Sequence, residues 1–178
     1  WIREGGGRIL RLNRFLRRWS ETKGRLRWLI GVDELHALTV GQDASPVPAG
    51  RVTVCVDGDE ASWSSWNRYA EEFVRATGAG LLRVEDGGVT GPTFVEHVRR
   101  VGRPVVNNPK GQNDPLPTDF TRRPIVGPTP MWTWSLVWRR DERNPVVLAV
   151  VDALTTGVDR SRLDAPDAWL PADDPHRA

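Results

Sequence analysis

The sequence is short of the residues on which most recognisable chemistry is built. Of its 178 residues one is cysteine, Cys55, so no internal disulfide can form and a reducing compartment is the natural setting. Three histidines, His36, His97 and His176, stand far apart with no metal-ligand spacing. There is no Gly-x-Ser-x-Gly elbow, and Asp57-Gly58-Asp59-Glu60 lacks the remaining ligands of a calcium loop. These absences speak against an enzyme, and no catalytic residue, metal or cofactor is expected. No apolar run reaches the roughly 18–20 residues a spanning helix needs, and no signal-peptide pattern is visible. A soluble, cytoplasmic protein is the expectation. Lysine is scarce too: only Lys23 and Lys110 stand among 25 basic residues, a skew read as coding bias.

What is present is arginine, tryptophan and a globular balance of polar and apolar residues. The net charge is +2, but it is unevenly placed: residues 1–29 hold nine basic residues against Glu4 and Glu21. That stretch is therefore basic, and the rest of the chain is acidic. The opening on Trp1 rather than Met leads us to expect a fragment, a processed product or a mis-called start.

Residues 1–7 are expected to be mobile because three consecutive glycines hold no structure. A helix is expected over 8–19, with Ile9, Leu12, Phe15, Leu16 and Trp19 on one side and arginines largely on the other. That pattern suits a docked helix with a solvated basic face more simply than a nucleic-acid or membrane contact. Strands are expected at 26–32, 35–40, 51–56, 81–84, 104–108 and 124–126, with a loop over 41–50. A helix from Trp63 or Ser65 to Thr77 ends at Gly78; a second starts on a Thr93-x-x-Glu96 capping box and stops at Gly102.

Toward the C-terminus, Trp132, Trp134, Leu136 and Trp138 alternate with Thr133, Ser135, Val137 and Arg139, the period-two pattern of a strand. Burial explains these tryptophans better than ligand stacking. After a charged turn, Asn144 suits an N-cap, Pro145 the first helical position, and Val147, Val150, Val151 and Leu154 one stripe, with Gly157 as the stop. Residues 157–178 read as a loose tail. Strand and helix in alternation predict an α/β fold.

The succession "ELHALTVGQD", "PVPAGRVTV", "VDGDEASW", "TFVEHVRRVGRPVV" and "RPIVGPTPMWTWSLVWRRDERNPVVLAVVDAL" resembles the effector-binding domain of LysR-type transcriptional regulators over about residues 34–156. Leu136, Trp138, Arg139, Arg140, Asp141, Asn144 and Pro145 carry the likeness at the end. In place of the family's usual Val-x-x-Gly-x-Gly and Leu-Pro step stands Val98-Arg99-Arg100-Val101-Gly102-Arg103-Pro104. The resemblance implies a periplasmic-binding-protein-like (type 2) fold with one lobe near complete and the other partial. It implies a bacterial, ligand-sensing regulatory module that forms homo-oligomers, takes a small-molecule effector of anionic character, and reaches DNA only through a winged helix-turn-helix, for which residues 1–33 leave no room. A ligand-free interaction or dimerisation module derived from such a regulator is the alternative. The last helix is expected to pack on a lobe's sheet.

In such a domain the ligand sits in a crevice lined by loop hydroxyls and helix N-terminal N–H groups. Two helix starts supply the candidates: Ser62, Trp63, Ser64, Ser65 and Trp66, and Thr90 and Thr93. Simple capping is the plainer reading of each hydroxyl. Asn107 and Asn108 point into the crevice or form a turn before Pro109. Cys55 reads as a small packed hydrophobe.

Overall fold

The computed structural model describes residues 25–85 and 87–177, so the expectations for residues 1–7 and 8–19 lie outside it. Two strands carry the chain into and out of the main body. Strand β1 (Arg25–Glu34) pairs antiparallel with β8 (Thr129–Arg139), from Arg25 opposite Arg139 to Glu34 opposite Met131, with one irregularity between Leu29 and Gly31. Between them the chain builds an α/β lobe. Leu35, fully buried, turns β1 into β2 (His36–Val40), and its N–H donates to the Pro130 carbonyl at 2.9 Å. The short β3 (Val47–Pro48) follows, then β4 (Thr53–Asp57), helix α1 (Glu60–Thr77), β5 (Gly80–Val84), helix α2 (Gly91–Val101), β6 (Val105–Val106) and β7 (Phe120–Val126).

These strands form a six-stranded sheet in the order β3-β7-β2-β6-β4-β5, with β4 parallel to both β5 and β6. Beyond β4 lies β5 on one side and β6 on the other, so right-handed crossovers put α1 and α2 on opposite faces. All five β4 residues are buried, the mark of a strand covered on both sides. Val54, Val56, Phe73, Phe94, Val98 and Val105 are among the residues of this core.

Local chemistry explains where helices begin, and twice it differs from expectation. Helix α1 starts three residues earlier than Trp63, because Asp59 rather than a serine is the N-cap: its carboxylate accepts from the Ala61 and Ser62 N–H groups. Helix α2 starts at Gly91 with Pro92 behind it, so Thr93 lies inside the helix and makes no capping box with Glu96. Both helices end as expected on left-handed glycines, Gly78 and Gly102.

After β8, helix α3 (Pro145–Thr155) begins as anticipated, with the Asn144 side chain accepting from the Val146 N–H at 3.0 Å. It differs in packing: none of its residues is buried, and Val146 is 70% exposed. Residues 157–177, expected to be loose, run back over the lobe. Strand β9 (Ala168–Trp169) pairs parallel with β8, and Trp169 meets Tyr69 and Phe73 of α1 edge-on at 5.2 and 5.1 Å. The Tyr69 hydroxyl donates to the Met131 carbonyl at 2.9 Å, tying α1 to β8. The tryptophan ladder of β8 is half-buried rather than cored: Trp138 leans on Trp28, itself 54% exposed, because this stretch of the ribbon has a layer on one side at most.

Candidate ligand site at the carboxyl ends of the parallel strands

The order of connections defines where a ligand fits. From β4 the chain leaves through α1, while from its neighbour β6 it leaves through the 107–119 connection. The carboxyl ends of these two strands form the switch point at which open α/β sheets hold ligands.

The β4 side is a rigid hydrogen-bonded corner. Asp57, only 2% exposed, ends the strand, and Asn67 of α1 clamps its backbone: the side-chain oxygen accepts the Asp57 N–H at 3.0 Å and the amide donates to the Asp57 carbonyl at 2.6 Å. One carboxylate oxygen of Asp57 accepts from the Asp59 N–H at 2.7 Å. The other, Oδ2, is buried without a hydrogen-bond partner. One turn into α1, Trp63 lies half-buried against the core.

The β6 side is a tight polar loop. Asn107 donates from its side chain to the Gly111 carbonyl at 2.8 Å and accepts Gln112 Nε2 on its own carbonyl at 2.7 Å. A Cβ on Gly111 would stand 2.6 Å from Asn107 Oδ1, so this close approach requires glycine. Asn108 caps the next turn by accepting the Lys110 N–H at 2.8 Å, and its amide donates to the Val89 carbonyl, binding this loop to the approach to α2. The two sides meet where the Lys110 ammonium sits 4.8 Å from the centre of the Trp63 ring. Burial lowers the Lys110 pKa from its ordinary value.

The anticipated residues are thus divided. Trp63 and Asn107 belong to the two walls of the switch point, and Thr90 is the N-cap of α2, without a side-chain cap bond. Thr93 is exposed on the first turn of α2. Trp66 is 3% exposed and spends its indole N–H on the Cys55 carbonyl at 2.7 Å, so its role is packing. Ser65 lines a small cleft of about 120 Å³ between α1, β8 and the tail, while Ser62 and Ser64 are half-buried on α1 and neither is its cap. Sequence reasoning missed Lys110 and Asp57. The available signals were an acid at a strand end before Gly58 and a lysine in an arginine-dominated chain. Among the described residues no group of His, Cys, Asp or Glu is placed to hold a metal, and no helix is long and apolar enough to cross a membrane.

No family model matches the chain, and no curated protein matches it in sequence. The fold is a mixed α/β, periplasmic-binding-protein-like (type 2) architecture, similar to that of the OxyR regulatory domain. Similar structures include the reduced form of the OxyR regulatory domain from Pseudomonas aeruginosa, at TM-score 0.55 and 14% identity over 81% of this chain and 77% of that one. A mutant of the same domain gives 0.51 and 13% over the same shares. A full-length OxyR mutant gives 0.53 and 14%, covering 78% of this chain and 46% of that one. At such identities the likeness establishes the fold.

Proposed function

We propose that the chain is the ligand-sensing regulatory domain of a LysR-type transcriptional regulator. A small metabolite of anionic character binds where β4 and β6 end, between this lobe and a second one. Binding changes how the regulator's homo-oligomers present DNA-binding domains that lie outside residues 34–156. The observation that carries this reading is the meeting of Trp63 and Lys110 at the switch point, which offers a cation and an aromatic face beside helix N-termini. No catalytic assignment is needed for it.

A thermal-shift screen of small carboxylates and phosphates on the chain tests this. One of them raises the melting temperature of the chain and has a tenfold or greater loss of affinity in Lys110→Ala, about 1.4 kcal/mol or more. No shift across the screen, or a shift indifferent to Lys110, would overturn it.

A second reading, a ligand-free interaction module, is favoured by α3, which exposes Val146, Val150 and Leu154 together. Copurification of a homologous regulator, lost in a polar α3 variant, supports it.

A further inference from the structure

Adjoining the switch point at Asn107 and Gly111, the face of the sheet beneath α2 holds a concavity of about 510 Å³. That volume falls in the range of about 300–1,000 Å³ typical of small-molecule sites. It is lined by Leu38 of β2, by Phe94 and Val95 of α2, and by Leu116 between Pro115 and Pro117. A half-buried leucine held between two prolines is a wall with little conformational freedom to lose when a ligand enters.

The polar groups around this pocket decide which ligand it takes. Arg99 is the cation on its lining, and its guanidinium is already engaged: Nη1 meets Glu96 at 2.6 Å, Nη2 meets Asp119 at 3.1 Å, and its carbon lies 4.9 Å from the centre of the Phe120 ring. The Asn107 amide is spent on the Gly111 carbonyl. Glu96 and Asp114, both exposed, add negative charge to the lining. A carboxylate entering here meets apolar walls, two acids and a guanidinium it must compete for, so an anion is disfavoured.

We propose that this pocket is a binding site for an apolar ring-bearing small molecule that carries no negative charge, adjoining the switch-point site at Asn107 and Gly111 but of opposite ligand preference. The proposal stands whether or not the switch-point reading holds, because it rests on the apolar side chains of Phe94, Val95 and Leu116 and uses neither Lys110 nor Trp63.

The test is fluorescence titration of the chain with N-phenyl-1-naphthylamine, an uncharged apolar probe, beside 1-naphthoate, an anion of similar ring size. The expected result is saturable one-to-one binding of the uncharged probe, with the anion weaker by about tenfold or more. Two variants fill the pocket from different elements, Val95→Trp and Leu116→Trp, each checked for an unchanged circular dichroism spectrum. Each should weaken the uncharged probe by about tenfold or more, while Leu154→Glu on the exposed face of α3 leaves it unchanged. Absence of saturable binding overturns the proposal. So does binding indifferent to both filling variants, loss on Leu154→Glu instead, or equal affinity for the anion.

Discussion

The lobe between residues 35 and 130 and the ribbon-plus-helix unit of β1, β8 and α3 have equally apolar stretches, yet they come to opposite ends in burial. In the lobe, β4 is buried at all five positions and Phe73 of α1 is 1% exposed. In the other unit, α3 reads Pro-Val-Val-Leu-Ala-Val-Val and buries nothing, with Val150 52% exposed. Propensity and capping are satisfied in both, so the difference lies one level up, in whether a second layer stands opposite the apolar surface. Only where two layers meet does hydrophobic patterning become stability. Polar restraint follows the same divide: buried hydrogen bonds from Asn67, Trp66 and Tyr69 pin the lobe.

That contrast orders the expected mutational effects. Phe73→Ala removes a fully packed ring and should cost about 3–5 kcal/mol in urea unfolding. A cost near zero would mean the lobe is no better packed than α3. Asn67→Ala orphans the buried N–H and carbonyl of Asp57 and should cost on the order of 1–3 kcal/mol by the same measurement. Asp59→Ala removes the α1 cap, for about 1 kcal/mol. Val150→Ser on α3 should stay within about 0.5 kcal/mol. A larger loss there would show that α3 has a covering partner in solution, and would erase the contrast. Smallest is a pH effect at the tail. Burial lowers the His176 pKa, with Asp174 opposing and Arg160 and Arg27 adding to the shift, and its ring is hydrogen-bonded to Ser135 at 2.8 Å. The folded chain therefore binds this proton less readily than the unfolded one. Its neutral form costs nothing above the unfolded pKa, about 6.5, and stability falls as pH drops below that value. His176→Gln should flatten the slope of melting temperature against pH just below about 6.5.

Features set by neighbours in sequence were legible, and those set by distant contacts were not. The long β8, its charged turn and the Asn144-Pro145 start of α3 follow from period two and capping chemistry alone. So do the glycine stops of α1 and α2. The starts of α1 and α2 were misplaced by competing local signals: Asp59 caps better than the serines behind it, and Pro92 pre-sets the first turn ahead of Thr93. The tail was illegible because β9 is two residues long and Trp169 gains its burial from Tyr69 and Phe73, about a hundred residues away. In the same way Trp63 was legible as a site candidate, while its partner Lys110 is brought to it by the crossing of β4 and β6, which no local pattern records.

The most direct test of the switch-point site is amide NMR of the uniformly labelled chain titrated with the small anion that gives the largest thermal shift. Chemical-shift changes should concentrate at residues 57–66 and 107–112, on the two walls that meet at Trp63 and Lys110. Changes confined to α3, to residues 92–99 and 114–117 or to the tail would contradict the account.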